Sequence, residues 1–153
     1  MISLFPELIL EPVIGDIQDR EKIKAVFAKF APEIVFHAAA HKHVPFMEMQ
    51  PEEAWKNNVL GTKNVAEAAL HQKSKIFVFI SSDKAVNPRN VLGATKKIGE
   101  LLVRWMNELG ETKFVVVRFG DVLGRRGSWF LILKDRLRQE DPLPLPTLIW
   151  KDL

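Results

Sequence analysis

The amino-acid sequence predicts an α/β fold in which a doubly wound parallel sheet carries helices on its faces. Two apolar patterns alternate along the chain: stripes with helical spacing, and short continuous runs of β-branched and aromatic residues. Such runs are typical of strands that are buried on both faces, as in parallel sheets. Because the two patterns alternate, the expected order of elements is β-α-β-α-β-α-β-α.

The first strand is predicted over residues 11–16 (EPVIGD) and the first helix over residues 19–30. Apolar side chains from Ile23 to Phe30 recur at i, i+3, i+4 and i+7, so they share one helical face. Pro32 cannot continue a helix, and the helix is therefore expected to stop before it.

The sequence in the middle of the chain predicts two further strands, which are separated along the chain by a long helix. Residues 33–38 (EIVFHA) and 75–81 (KIFVFIS) have the apolar runs of buried strands. Residues 51–70 are predicted as one helix, because Pro51 followed by acidic residues is a common helix start.

The last part of the chain predicts two helices around a fourth strand. Residues 94–109 have a helical pattern, and Gly110 is a plausible stop. Residues 113–119 (KFVVVRF) read as a buried strand, and residues 128–139 as a final helix.

The composition excludes several classes of function. The formal charge of +3 is small, and basic and acidic residues are interspersed, so no nucleic-acid partner is expected. The chain has no cysteine, which excludes disulfides, thiolate metal sites and a cysteine nucleophile. No apolar run approaches the roughly 18 residues of a membrane span, and the N-terminus lacks a signal-peptide pattern. We therefore expect a soluble, cytoplasmic protein.

Three of the four histidines, His37, His41 and His43, lie in one short segment. The i, i+4 spacing of His37 and His41 is that of zinc ligands on a helix, but His37 is expected to end a strand. With His71 as the remaining histidine, we expect no metal site. We expect His37 to pack in the interior, and His41 and His43 to frame a pocket.

Polar residues follow the predicted strands at the positions where open α/β sheets bind ligands, beyond the carboxyl ends. Ser82, Asp83 and Lys84 come directly after a strand, and an adjacent carboxylate and amine can serve as acid and base. The alternative is a solvated polar turn. The full set of strand-end positions is Gly15-Asp16, His37 to His43, Ser81 to Lys84, and Phe119 to Val122.

Five segments, in register over about residues 11–139, carry a family resemblance. They are GDIQD (15–19), VFHAAAHKHVPFME (35–48), NNVLGTKNVAEAA (57–69), ISSDKAVNPRNVLGATKK (80–97) and VRFGDVLGRRGS (117–128). They resemble the polysaccharide-biosynthesis nucleotide-sugar 4,6-dehydratases. This is the CapD-like branch of the extended short-chain dehydrogenase/reductase family, typified by UDP-N-acetylglucosamine 4,6-dehydratases. SSDKAVNP followed by GATK is the most specific part.

The resemblance implies a Rossmann-like fold that is incomplete in this chain. Such a fold usually begins with a strand, a Gly-x-Gly-x-x-Gly turn and a helix, and nothing before Asp16 offers them. We expect residues 1–145 to be a partial NAD(P)-binding Rossmann domain that lacks this unit and the C-terminal substrate segment. Without the glycine turn, weak cofactor affinity is expected.

Residues 146–153 form a tail that does not match the family pattern. If the codons of PTLIWKD (146–152) are shifted by one base, free bases can be chosen to encode Thr-His-Pro-Asp-Met-Glu-Arg, which is typical of the family. The hypothesis is a one-base deletion near codon 146, and the alternative is a natural divergent tail. Sequencing the gene decides between them.

The resemblance also implies the ligand contacts. The adenine is contacted by Asp16 and Ile17, the strand end Ala38, Ala39 and Ala40 lies against the cofactor NAD or NADP, and Lys42 reaches both the cofactor and the UDP-sugar. The nicotinamide ribose lies near Asn57 and Asn58 and is held by Lys96. Substrate contacts are implied for Ser82, Asp121 and Val122, in addition to Lys42.

The implied mechanism assigns catalysis to Asp83, Lys84 and Lys96. The cofactor takes hydride from sugar C4, Lys84 removes the C5 proton, Asp83 protonates the leaving C6 hydroxyl, and hydride returns to C6. Leu92 stands where the wider family has a proton-transferring tyrosine, so the hypothesis is that Asp83 also handles the C4 hydroxyl proton. Asp121 stands where the family usually has asparagine, and its carboxylate would repel a diphosphate.

Two alternatives stay open. Lys84 re-protonating C5 from another direction would make the enzyme a nucleotide-sugar epimerase, and a chain that binds neither ligand would be an inactive remnant. The full-length parent is expected to self-associate, and it can be membrane-anchored through a further N-terminal region.

Overall fold

The computed structural model describes residues 9–120, and residues 9–118 belong to one compact unit. The predicted helix over 128–139, the tail and the predicted substrate residues Asp121 and Val122 lie outside the described residues. The helices are α1 (Arg20–Phe30), α2 (Val44–Met49), α3 (Pro51–Trp55), α4 (Thr62–His71) and α5 (Val91–Met106), and the strands are β1 (Ile34–His37), β2 (Ile76–Ser82) and β3 (Lys113–Phe119).

The sheet is parallel and three-stranded, in the order β1-β2-β3, which confirms the predicted α/β class. In the register of β1 and β2, Val35 lies opposite Phe77 and His37 opposite Phe79. This face of the sheet is buried, and Phe77 and Phe79 are fully enclosed by side chains from α1, α4 and α5.

The other face of the described sheet differs from the expectation of strands buried on both faces. Ile34 and Phe36 on β1 are 52% and 73% exposed, and burial alternates along β2. The physical reason is that the helices described here pack on the Phe77 side, so period-two burial replaces the continuous burial that the apolar runs indicate.

Local signals explain where the helices begin and end. Asp19 caps α1 by accepting a hydrogen bond from Lys22 N (2.9 Å), and Ala31 ends it in the left-handed conformation. Asn90 accepts from Gly93 N (2.8 Å), so α5 begins at Val91, three residues before the predicted start.

Three element predictions were wrong. Residues 11–16 form no strand, because no described strand pairs with them and their apolar side chains are exposed. The segment after β1 contains the short helix α2, which was not predicted. The predicted helix over 51–70 is divided by a π-helical segment, Lys56–Gly61, between α3 and α4. Among the described residues, no helix is long and apolar enough to cross a membrane.

Candidate functional site

A shallow cleft of about 540 Å³ lies beside the carboxyl end of β1 and is lined by Ile14, Gly15, Asp16, Ile17, Ala39 and Asn57. Four of these six residues are predicted cofactor contacts, and they come from three separate segments of the chain. The tertiary structure therefore brings together four of the residues that the family resemblance implies as cofactor contacts.

One of the three alanines after β1, Ala39, lines this cleft, and Ala38 and Ala40 lie on either side of it in the chain. Ala38 and Ala39 are exposed and Ala40 is half-buried, just beyond the buried end of β1. A methyl group leaves the backbone open to a ligand, so a flat dinucleotide can approach the strand end closely. The position of the three alanines is compatible with their predicted role.

Asp16 and Ile17 are held by a turn that leads into α1. Asp16 accepts from Gln18 N (2.9 Å) through its side chain and from Asp19 N (3.1 Å) through its backbone. The Asn64 side-chain amide donates to Ile17 O (3.0 Å), which ties the turn to α4. A Cβ at Gly61 would lie 2.6 Å from Ile17 Cδ1, so the glycine makes room for this side chain.

The π-helical segment gives the neighbouring asparagines different roles. Both are buried, at 8% and 1% exposure, but only Asn57 lines the cleft, and its amide donates to Asn58 Oδ1 (3.0 Å). The Asn58 amide accepts from His41 N (2.8 Å) and donates to His41 O (3.1 Å) and to Thr95 Oγ1 (3.2 Å). Its polar atoms are thus used to hold the loop after β1 against α5, and we assign Asn58 to positioning this loop. A π-helical turn inside a helix is frequent at functional sites.

His37 is buried as expected and stacks between Phe77 and Phe79. Its Nε2 lies 2.9 Å from Thr62 Oγ1, and that hydroxyl donates its own hydrogen to Asn58 O (2.7 Å). Nε2 therefore carries the hydrogen and donates it to Thr62. Burial, and then the charge of Lys96, lower the pKa of His37 to about 4. No group of three metal-ligating side chains occurs within residues 9–120.

We expect His37 to make stability pH-dependent. Because its folded pKa is below the ordinary value of 6.5, its contribution is complete above pH 6.5 and is lost as the pH falls toward 4. The loss should be on the order of 3 kcal/mol. Urea unfolding of the wild type and His37→Gln between pH 7.5 and 4 measures it. The difference between the two chains should shrink toward pH 4, and a constant difference would contradict the assignment.

Asp83 and Lys84 form an exposed turn directly after β2, as predicted. Asp83 Oδ1 accepts from Ser82 Oγ (2.9 Å) and Lys84 N (2.8 Å), and lies 3.4 Å from Lys84 Nζ. The hydrogen bond from Ser82, followed by the charge of Lys84, lowers the pKa of Asp83. In the free protein Asp83 is therefore an ionised carboxylate, which can accept a proton but holds it weakly.

Lys96 lies one turn after Leu92 on α5, and both side chains are buried. Lys96 Nζ donates to Ile80 O (2.9 Å) and sits 4.8 Å from the centre of the Phe79 ring. Burial lowers the pKa of Lys96 to about 8, although the charge of Glu100 opposes this. Leu92 packs against Met47 and Ala54, so it is a core residue and offers no proton-transferring group.

Lys42 borders a second cavity, of about 240 Å³, beyond the loop after β1. His41 and His43 line it with Lys42, as the predicted frame of a pocket entrance, and Phe46 and Met47 of α2 supply its apolar wall. Lys42 is exposed, and it follows His41 in the chain. The side chain of Asn58 hydrogen-bonds to the backbone of His41. Its predicted contact with cofactor and sugar stays a prediction.

Glu100 is the site residue that sequence reasoning missed. It lies on α5 one turn after Lys96 and is 1% exposed. Its carboxylate accepts from Ser81 Oγ (2.7 Å) and from Arg118 Nε (2.8 Å) and Nη2 (2.7 Å). The available signal was the i, i+4 spacing from Lys96.

Comparison with known proteins identifies the family. The family described as "Polysaccharide biosynthesis protein" matches residues 5–148. The capsular polysaccharide biosynthesis protein CapD of Staphylococcus aureus is 53% identical over 86% of this chain and 22% of its own length. A UDP-N-acetylglucosamine 4,6-dehydratase (inverting) of Campylobacter jejuni is 39% identical over 84% of this chain and 39% of its own length.

Solved structures show the same fold. Pen from Bacillus thuringiensis superposes with a TM-score of 0.79 at 37% identity, over 90% of this chain and 43% of that one. The UDP-glucose 4-epimerase of Brucella ovis, in complex with NAD, superposes with a TM-score of 0.68 at 27% identity, over 71% of this chain and 38% of that one.

The chain spans well under half the length of the relatives compared. The matched region nevertheless covers most of the chain and includes the cleft and the Asp83–Lys84 turn. The resemblance to CapD-like proteins seen in the sequence is confirmed. The chain belongs to the polysaccharide biosynthesis protein family, with the Rossmann-type fold of the nucleotide-sugar dehydratases and epimerases.

Proposed function

We propose that this chain carries part of the active site of an NAD(P)-dependent nucleotide-sugar 4,6-dehydratase that acts on UDP-N-acetylglucosamine. The observation that carries the proposal is the acid–base pair Asp83 and Lys84, whose side chains are 3.4 Å apart at the carboxyl end of β2. The 39% identity to a protein named as such a dehydratase supports the substrate and reaction. Residues 1–145 would form a partial cofactor domain in this reading.

The cleft beside β1 fits a dinucleotide. Asp16 is exposed at its rim, Ile17 and Asn57 form its walls, and Ala39 keeps the backbone open. NAD or NADP, when bound, would supply a redox partner that accepts a hydride from sugar C4 and returns it to C6. NAD in the Brucella ovis epimerase supports this choice.

The proton steps follow from the state of the two side chains. The Asp83 carboxylate takes the proton of the C4 hydroxyl as C4 is oxidised, and the neutral acid then gives it to the leaving C6 hydroxyl, which departs as water. The Lys84 ammonium first gives one proton to solvent, and the neutral amine then removes the C5 proton and returns it to C5 once C6 is reduced. Lys84 regains its own proton from solvent at the end of the cycle, so protons balance between these two groups and solvent, and the tyrosine that Leu92 replaces is not needed.

A nucleotide-sugar epimerase is the second candidate, favoured by the structural match to the Brucella ovis epimerase. In that reaction C6 keeps its hydroxyl and only the configuration of the sugar changes. A UDP-glucose 4-epimerase of Rickettsia felis is 38% identical and the dehydratase is 39% identical, so identity does not separate the two candidates. The dehydratase is preferred because Asp83 and Lys84 together supply an acid for the C6 leaving group and a base for C5. An inactive remnant is the third reading.

Binding and product analysis test the proposal. The chain is titrated calorimetrically with NAD⁺, NADP⁺ and UDP-N-acetylglucosamine, and mixtures are then followed by NMR. We expect weak binding of one dinucleotide by the chain, and formation of a 4-keto-6-deoxy sugar by a full-length parent. A product that keeps the C6 hydroxyl would replace the dehydratase with an epimerase, and absence of any binding would establish the remnant.

Two further points belong to the proposal. We place the reaction in the cytoplasm, and we propose that the full-length parent self-associates, as the resemblance implies. Sedimentation of the purified chain and of a full-length parent tests the second point.

A further inference from the structure

The carboxylate of Glu100 is the centre of a buried network that joins three elements. Ser81 of β2 and Arg118 of β3 donate three hydrogen bonds to it, and all three are 2.8 Å or shorter. Glu100 is 1% exposed, whereas the Arg118 side chain is 36% exposed. Because a buried ion pair is often no more stabilising than apolar residues of similar volume, stability alone does not account for this arrangement.

Both partners of Glu100 lie at the edge of the sheet that carries the site. Ser81 comes two residues before Asp83, and Arg118 lies near the carboxyl end of β3. A carboxylate on α5 that holds both strand ends sets the distance between the helix and the turn that begins at Ser82. The position of Asp83 and Lys84 relative to α5 therefore depends on Glu100.

Glu100 also lies one turn from the buried ammonium of Lys96. Around that ammonium are the Ile80 carbonyl and Phe79 ring of β2 and the neutral imidazole of His37 on β1. Glu100 itself is faced by Arg118 and by Lys97 of its own helix. Burial lowers the pKa of Lys96 to about 8, and the negative charge of Glu100 acts in the opposite direction.

We propose that Glu100 is a positioning residue of this site. Its carboxylate holds the Asp83–Lys84 turn at a set distance from α5 and places a negative charge one helical turn from the ammonium of Lys96. The proposal rests on the proposed function, which makes that turn and Lys96 the groups that meet the substrate and the cofactor.

The charge role is tested with Glu100→Gln, which keeps an acceptor for Ser81 and removes the negative charge. Lysine side-chain resonances of the ligand-free chain are titrated by NMR, with Lys96 assigned through Lys96→Met. We expect the Lys96 midpoint to move to lower pH than in the wild type. The matched control is Glu67→Gln, which removes from α4 a charge paired with Arg20 of α1 and should leave the midpoint unchanged. An unchanged midpoint in Glu100→Gln overturns the charge role.

The positioning role is tested with Glu100→Asp, which keeps the charge and shortens the side chain by one methylene. The Lys96 midpoint should stay at the wild-type value, while the Lys84 amide, which donates to Asp83 Oδ1, should exchange faster with solvent. Exchange of the α1 amides serves as the internal reference for global unfolding. Equal acceleration in both regions means a purely structural role and overturns the proposal. This variant also decides the case if Glu100→Gln does not fold.

Both readouts use the ligand-free chain, so they judge Glu100 separately from the proposed reaction. Wild-type chain that binds no dinucleotide would overturn the proposed function and leave the Glu100 result standing. If dinucleotide binds, its affinity should fall as the pH rises and Lys96 loses its proton. In Glu100→Gln this fall should occur at a lower pH than in the wild type, and a fall at a higher pH would contradict the proposal.

Discussion

Substitution of Gly93 by alanine is expected to reduce turnover about 100-fold and to destabilise the fold. Gly93 lies in the first turn of α5, between Leu92 and the buried Lys96. A Cβ at this position would overlap the carbonyl oxygen of Lys84 and lie 3.2 Å from Pro88 Cα. Both neighbours are backbone atoms, so neither can move aside as a flexible side chain would.

Relief of this overlap requires the turn at Lys84 to move away from α5 by roughly 1 Å. Forcing a methyl group into a packed contact costs about 1–3 kcal/mol. Misplacement of a catalytic group by about 1 Å costs about 100-fold in rate. Turnover and urea unfolding of Gly93→Ala measure the two effects.

Gly110→Ala is the matched control, because its added Cβ would meet only the end of the Leu70 side chain, at 2.8 Å. That side chain can rotate, so we expect near wild-type turnover. Equal loss in the two variants would show that the close approach of Gly93 to Lys84 has no special importance.

In a full-length parent enzyme, Asp83→Asn is expected to abolish both the oxidation at C4 and the elimination of water. The ionised carboxylate is proposed to accept the C4 hydroxyl proton and later to protonate the C6 leaving group, and an amide can do neither. Loss of a general acid–base group typically costs about 10²–10⁴-fold in rate. Hydride transfer is followed by NAD(P)H absorbance in single turnovers, and water elimination by NMR.

Glu33→Gln controls for the loss of an exposed carboxylate, since Glu33 pairs with Lys75 at the opposite end of the sheet. We expect this variant to keep both steps. If Asp83→Asn still reduces the cofactor and only fails to eliminate water, another group handles the C4 proton. Leu92 is excluded as that group by its chemistry.

Most helices and strands could be predicted from the sequence because their signals are local. The stripe in α1, the capping Asp19 and the apolar run of β2 each lie within a few residues. The strand predicted over 11–16 was wrong because a strand needs a hydrogen-bonded neighbour, and none is described beside it. The π-helical segment was missed because its sequence still has helical spacing.

The candidate site divides in the same way. The Asp83–Lys84 pair was singled out by its residue types and its place directly after an apolar run, and the alanines after β1 were singled out by the family resemblance. It did not separate Asn57 from Asn58, whose roles depend on partners 17 and 37 residues away, at His41 and Thr95.

The sequence by itself determined the family, the parallel α/β order and the place of Asp83 and Lys84 directly after β2. Only the tertiary structure decided that Asp16, Ile17, Ala39 and Asn57 line one cleft, and that Glu100 is buried and hydrogen-bonded to Ser81. The physical reason is that burial and hydrogen-bond partners are set by contacts between distant segments. Residue type and local spacing do not encode which distant partners two neighbouring polar side chains will contact.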